Sequence, residues 1–330
     1  MLFVCSATVY ADLSHEGKIM TVMGPIEPSA LGKTLPHEHV LVDFIGAEQI
    51  SPDRYDRDAA FQKILPFLKE LKPFGVKAFV ECTPAYIGRD AVLCLRLSKA
   101  TGLHILTNTG YYGAANDKCV PKHAYEETPQ QLAARWVKEW EQGIGQTGIY
   151  PGFIKIGVDS GPLSAIDKKL VQAAALAHKK TGLTIAAHTG NAKAGREELA
   201  VIQEYGVRAD AFIWVHADNV KDSVVLVEAA KKGAWIELDK INKKRMEIQL
   251  DPLKALKREG LLDRVMLSHD AGWYRVGQEN GGTYRPHTDL FTDFIPLLKE
   301  NGFTDGEIQQ MIVKNPQQAF QIKKRLADQK

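Results

Sequence analysis

Thr34-Leu35-Pro36-His37-Glu38-His39-Val40-Leu41-Val42 decides how the rest of the chain is read. Apolar residues flank three reactive ones, and the run is bounded like a short strand. Side chains on a strand alternate between faces, so His37 and His39 point the same way and Glu38 points opposite. Seven further short apolar runs follow: Val76–Cys82, Leu103–Thr109, Phe153–Val158, Leu183–Ala187, Ala211–Val215, Ala234–Leu238 and Arg264–Ser268. Amphipathic stretches separate them. Strands alternating with helices predict parallel βαβ units, and eight strands close a (β/α)8 TIM barrel, for which 330 residues are ample.

The helices carry their own start and stop signals. Ser164 and Asp167 predict a capping box, followed by Ile166, Leu170, Ala173 and Ala177 at helical spacing and by Gly182 as the stop. Thr304 and Glu307 predict another helix start, and Pro296 should kink or divide the helix expected over Asp289–Lys299.

Most predicted strands end in a reactive side chain. The second ends Glu81-Cys82-Thr83, and the fourth carries Lys155 between Ile154 and Ile156. The fifth ends at His188, the sixth at His216, the seventh at Asp239-Lys240 and the eighth at His269-Asp270. In such barrels the active site gathers at the C-terminal face of the strands. His37, His39, His188, His216 and Asp270 therefore form a ligand set suited to zinc or a similar first-row metal. Glu38, on the other face, is expected between the barrel and the helices. Lys155 is costly to bury as a cation. Its place makes sense if the amine has reacted with carbon dioxide, giving a carbamate able to bridge two cations. The alternatives are an ion pair with Asp159 or Glu81 for Lys155, and a loop cap for Asp270.

Thr21-Val22-Met23-Gly24-Pro25-Ile26 and Leu31-Gly32-Lys33-Thr34-Leu35-Pro36-His37-Glu38-His39-Val40 resemble the opening of the phosphotriesterase family of the amidohydrolase superfamily. The resemblance continues through Phe153-Ile154-Lys155-Ile156-Gly157, Ala187-His188-Thr189-Gly190, Val215-His216-Ala217-Asp218 and Ser268-His269-Asp270. It implies two divalent metals, zinc by expectation. His37, His39 and Asp270 would hold the more buried one, and His188 and His216 the more exposed one. Carbamylated Lys155 and a hydroxide would bridge them. It also implies a homodimer, and an aromatic residue bordering the metals after the third strand, which we assign to Tyr112. The segment Asp270-Ala271-Gly272-Trp273-Tyr274 departs from well-studied phosphotriesterases and lactonases, so their specificity is not carried over.

The expected reaction is hydrolysis by a metal-bridging hydroxide, with Asp270 taking the proton. The favoured substrate is a lactone or carboxylic ester, and a phosphotriester is the alternative. A catalytically silent, metal-dependent binding protein is the reading outside catalysis. Lys240 and Arg275 are expected near the metals, favouring an anionic substrate; the bland alternative pairs Lys240 with Asp239 or Glu237. The glycine-bearing segment Trp273–Pro286 is expected to cover the mouth as a loop. His15, His104, His123, His178 and His287 have no predicted metal role and are read as surface or supporting residues.

Composition excludes several classes. A net charge of +2 among 25% charged residues offers no basic field for nucleic acid or an anionic membrane. No stretch is long and apolar enough to span a bilayer. The four cysteines, Cys5, Cys82, Cys94 and Cys119, lack CxxC spacing and point to neither a disulfide framework nor a thiolate zinc site. The run Met1–Ala11 reads as the tail of an export signal, with an ordinary N-terminal segment as the alternative. The chain accordingly divides into residues 1–17, a leader remnant, and residues 18–330, one hydrolase barrel.

Overall fold

In the computed structural model, which describes residues 15–328, the apolar runs form the expected barrel strands. The run assigned to an export signal, with Cys5, lies outside the described residues. A short antiparallel hairpin, β1 (Ile19–Thr21) and β2 (Gly24–Ile26), precedes the barrel. The barrel strands are β3 (Lys33–Val42), β4 (Val76–Glu81), β5 (His104–Leu106) with β6 (Asn108–Thr109), β7 (Phe153–Val158), β8 (Ile185–Thr189), β9 (Phe212–Val215), β10 (Trp235–Leu238), and β11 (Val265–Leu267) with β12 (Gly272–Arg275).

Parallel pairing runs in two arcs, β6 through β11 in chain order and β12–β3–β4–β5. The arcs are joined because two of the eight staves are each interrupted. Thr107 separates β5 from β6. The eighth stave breaks at Asp270, whose φ of 50° is left-handed. Across that break the Asp270 amide donates to His37 O at 3.1 Å and the His39 amide donates to Ala271 O at 2.9 Å. The first and last staves therefore remain stitched where His37, His39 and Asp270 emerge.

Alternation sorts the core into two layers. Phe153, Ala186, Ile213, Val215 and Met266 pack in an inner cluster, while Ile154, Ile156, Val158, Ala187 and Trp214 pack against the helices. Full burial of such side chains stabilises by about 1.5–3 kcal/mol each. Both capping boxes form, at Ser164/Asp167 and Thr304/Glu307, and Gly182 ends its helix in the left-handed region. Pro296 acts as expected: a π-helical turn, Leu290–Phe294, gives way to an α-helix at Ile295–Glu300 with the proline in its first turn.

The barrel floor is strapped by the C-terminal segment. The Gly17 amide donates to Ile322 O (2.9 Å), Ile322 returns a bond to Lys18 O (2.8 Å), and Lys323 donates to Gly182 O (3.0 Å). Arg325 is buried there, donating to Gln318 O at 2.7 Å and Thr184 Oγ1 at 3.1 Å. Phe320 closes the inner cluster against Phe153, ring centroids 5.5 Å apart. Among the described residues no helix is long and apolar enough to cross a membrane.

The segment after Asp270, expected as a loop from its glycines, opens as a strand and becomes loop only after Arg275. Its start is β12, with Gly272 opposite His39 and Arg275 opposite Val42. Further on, Tyr284 and His287 are buried. Its longest exposed run is residues 277–280. A run holding Trp, two Tyr and His brings its own apolar anchors, which outweigh the flexibility of Gly277, Gly281 and Gly282.

Candidate active site

The strand ends bring the predicted ligands together. His39 Nε2 lies 3.1 Å from Asp270 Oδ1 and His37 Nε2 lies 3.8 Å from it. The ring centroids of His37 and His39 are 5.3 Å apart, those of His37 and His216 5.1 Å, and those of His188 and His216 4.4 Å. Asp270 Oδ1 has no hydrogen-bond partner, although it is shielded from solvent. A buried carboxylate oxygen without a donor is costly. Two imidazole nitrogens converging on it make a divalent cation a fitting partner, and the donor set suits zinc.

Supporting groups fix the imidazoles. His39 Nδ1 is 2.8 Å from Thr83 Oγ1, which leaves Nε2 facing Asp270. His216 Nδ1 is 2.6 Å from Asp239 Oδ1, and the His216 amide donates to Asp239 Oδ2 at 2.8 Å. The carboxylate thus orients the ring and leaves its other nitrogen free, as is usual for metal-ligating histidine. Burial opposes charge on His216, but Asp239 outweighs it and raises the pKa. Burial, reinforced by His216 and Lys155, holds His37 well below the ordinary imidazole value, and His188 is lowered by burial and by His216. Neutral imidazole is the form that binds metal.

His37, His216 and Asp239 also group closely enough to share an ion, as do Glu38, His269 and His287. The short His216–Asp239 bond marks the first as an orienting contact. The second is saturated by hydrogen bonds. Glu38, as its position predicts, turns away from the ligands. Its Oε1 accepts from Ser268 Oγ (2.8 Å), the His269 amide (3.1 Å) and His269 Nδ1 (2.6 Å), and its Oε2 from the Ala271 amide (2.9 Å) and His287 Nδ1 (2.9 Å). Burial alone would raise its pKa, but His269 and His287 prevail and hold it well below the usual carboxylate range. His287 is therefore no surface residue. Nor is His178, which is buried with Nδ1 on Leu183 O at 2.8 Å.

Lys155 sits on β7, buried at 2% exposure, with Ile156 O at 3.2 Å and, among the described residues, no carboxylate within ion-pair distance. The acids considered as partners are engaged elsewhere. Glu81 accepts from the Val40 and Thr83 amides, and Asp159 from those of Ala115 and Asn116. Burial lowers the pKa of the Lys155 amine. A deprotonated amine is the form that reacts with carbon dioxide.

Tyr112 stands beside this group, its hydroxyl 3.2 Å from His188 Nδ1. Its ring fits because Gly157 lacks a side chain: a Cβ there would lie 2.5 Å from the ring. Lys240 lines a cavity of about 430 Å³ with Asn242, Lys243, Arg245, Asp270 and Arg285. Its ammonium meets Asn219 Oδ1, not Asp239 or Glu237. Arg275 departs from expectation. Its guanidinium lies 4.9 Å over the Trp273 ring, outside that cavity wall, because β12 carries it along β3. Arg285 occupies the wall instead, donating to Asp270 O at 2.8 Å.

Sequence reading missed Arg285, Trp273, Glu237 and Asp239 as site residues. Trp273 (φ 76°) lies 4.9 Å from the His39 ring and donates Nε1 to Asp270 O at 3.0 Å. Glu237 is fully buried, with both carboxylate oxygens unpartnered and Oε1 3.4 Å from His37 Nδ1; burial and Asp239 push its pKa well up. The acid-x-acid spacing of Glu237 and Asp239 on one strand face was the available signal.

Residues 17–320 match the phosphotriesterase family. The phosphotriesterase homology protein of Escherichia coli (strain K12) is 35% identical, over 88% of this chain and 98% of that protein. The aryldialkylphosphatase of Saccharolobus solfataricus is 29% identical, over 89% and 96% respectively. A solved structure from the engineering of organophosphate hydrolysis activity out of a weak promiscuous lactonase template superposes with a TM-score of 0.81, at 27% identity, covering 92% of this chain and 99% of that one.

Proposed function

The chain belongs to the phosphotriesterase family and is a metal-dependent hydrolase acting on ester bonds; from that premise we propose that its substrate is a lactone or carboxylic ester carrying a remote anionic group. The observation that carries this is the cavity wall beside Asp270, built from Lys240, Asn242, Lys243, Lys244, Arg245, His269, Arg285 and Asp289 with no apolar side chain. Neutral aryl phosphotriesters need apolar surface for their substituents. This wall offers cations, and a guanidinium suits forked recognition of a carboxylate or phosphate. The relatedness to a lactonase template supports the lactone reading, and the likeness to an aryldialkylphosphatase supports the phosphotriester alternative.

One ion would be held by His37, His39 and Asp270, the other by His188 and His216. Lys155 would serve both as a carbamate, formed when its amine bonds carbon dioxide and releases a proton. Two divalent ions, zinc in this reading, would supply Lewis-acid activation of water and of the ester carbonyl. The rest falls to the chain. Lys240 and Arg285 bind the anionic end of the substrate. The Asp270 carboxylate accepts the proton released as water adds to the carbonyl. That proton returns to the alkoxide when the C–O bond breaks. Trp273 covers His39 and limits access of bulk water.

Matched neutral and anionic lactones, with an aryl phosphotriester, test this in wild type, Lys240→Ala and Arg285→Ala. Loss of a charge-assisted contact of about 1.5–3 kcal/mol should raise KM for the anionic lactone roughly 10- to 100-fold. Preference for the neutral lactone, or for the phosphotriester, would overturn the substrate assignment. We further infer that the run Met1–Ala11 belongs to an export leader, the boundary at residue 17 being too late because Gly17 is bonded into the barrel floor through Ile322, and that the barrel works as a homodimer. Both readings rest on the sequence and the family resemblance. A stop codon in frame directly before Met1 would remove the first, and a monomeric mass in solution the second.

A further inference from the structure

After Tyr112 the chain enters three consecutive left-handed residues, Ala115 (φ 64°), Asn116 (φ 55°) and Asp117 (φ 59°). None is glycine. L-residues resist this region because Cβ crowds the following carbonyl oxygen. A run of three persists only where the surroundings over-determine it. The surroundings here are one carboxylate: Asp159 Oδ1 accepts from the Ala115 amide at 3.0 Å and Oδ2 from the Asn116 amide at 2.9 Å. The Asp117 amide closes the turn on Gly113 O at 3.1 Å. No Lys, Arg or His lies within ion-pair distance of Asp159 among the described residues, and its carboxylate is met by these two amides.

The same strand exit also holds the residues just upstream. Gly113 donates to Gly157 O at 2.9 Å, Tyr112 bridges to Gly157, and the bare Cα of Gly157 accommodates the Tyr112 ring. Gly157 and Asp159 are two residues apart, so one end of β7 fixes the Tyr112 loop from both sides. We propose that Asp159 is a positioning residue: by capping the left-handed turn at Ala115–Asp117, it fixes Tyr112 against His188 at the mouth of the site. The kinetic consequence rests on the substrate reading above; the capping role does not.

The test compares wild type, Asp159→Asn and Asp159→Ala as metal-loaded enzyme, by amide hydrogen exchange and by kinetics. Asp159→Ala should speed exchange of the 113–118 segment by on the order of tenfold or more while the barrel strands keep their protection. Asp159→Asn retains one acceptor oxygen and should fall between. With a lactone substrate, Asp159→Ala should lower kcat/KM about tenfold or more through misplacement of Tyr112, yet add less than about twofold in a Tyr112→Ala background, where the coupled partner is gone. Unchanged exchange in the 113–118 segment overturns the proposal. So does faster exchange throughout the barrel, or an undiminished kinetic effect alongside Tyr112→Ala. If wild type turns over no lactone, the substrate reading fails and the exchange comparison alone decides the capping role.

Discussion

Replacing Glu38 with glutamine exchanges one carboxylate oxygen for an NH2 group at a site with no solvent access. Glu38 accepts five hydrogen bonds from Ser268, His269, Ala271 and His287, all on the last stave or just beyond it. A glutamine must aim its NH2 at one of the two oxygen positions. At Oε1 it would face three donors. At Oε2 it would face the Ala271 amide and His287 Nδ1. The second is the cheaper choice, because His287 can change tautomer and pass its proton to Nε2, 3.3 Å from Tyr284 OH. That leaves one orphaned buried amide, costing about 1–3 kcal/mol, and weakens the three bonds at the remaining oxygen by about 1 kcal/mol each as their charged acceptor is lost. The expected destabilisation is therefore ~4–6 kcal/mol, a large share of a typical folding stability of about 5–15 kcal/mol. The assay is urea unfolding followed by two independent probes, with bound divalent metal measured on the same samples. The midpoint should fall with an unchanged m-value. Metal content should fall as well, because the His269 and Ala271 amides that Glu38 holds flank Asp270. Glu38→Gln within about 1 kcal/mol of wild type would refute the five-bond accounting, since no arrangement of an amide satisfies those donors.

Other expectations are as direct. Lys155→Ala should lose most of its bound metal and activity, and short carboxylates such as acetate or propionate should restore part of both; metal retained in full by the variant would count against a carbamate ligand. Gly157→Ala should press a methyl group onto Tyr112, a Cβ there lying 2.5 Å from the ring, at a cost of about 1–3 kcal/mol in stability with reduced kcat/KM; Tyr112→Ala should relieve the stability loss, and a double variant no more stable than Gly157→Ala alone argues against the clash. Burial pushes His178 down to about 4 from its ordinary 6.5. Because the folded value is depressed, its contribution is complete above 6.5 and is lost as pH falls toward 4, roughly 3 kcal/mol in all. His178→Gln should flatten that part of the stability–pH curve, and an unchanged slope between pH 6.5 and 4 would show that other groups set it.

What could be read in advance followed local chemistry. His37 and His39 share a face because strands alternate, and that alternation is visible in nine residues. Reactive residues recurring at the ends of apolar runs likewise revealed the barrel and its working face. The hairpin β1–β2 was invisible, because two three-residue strands are too short to show a period. The eighth stave was truncated in the reading at Ser268, since a left-handed Asp270 cannot be inferred from a pattern that assumes unbroken strand geometry. Arg275 and Arg285 illustrate the limit. They are ten positions apart and alike in chemistry, and only the pairing of β12 with β3 decides which reaches the cavity. Strand alternation turns Glu38 away from His37 and His39, yet its partners lie some 230 residues away along the chain. The sequence offers Asp159 as a partner for Lys155, and the competing claim of the Ala115 and Asn116 amides emerges only in three dimensions.

The strap across the barrel floor places Gly17 and Ile322 within one hydrogen bond of each other, on the side opposite the mouth. A linker running from beyond the buried Arg325 back to Gly17 would stay on the barrel floor, so the chain could be circularised, or permuted to begin elsewhere, without stretching a stave. The same arrangement gives the molecule a natural handle: fused or tethered through either flank of the strap, the barrel would stand on its floor, with Lys240 and Arg285 facing the solution and substrate free to diffuse in.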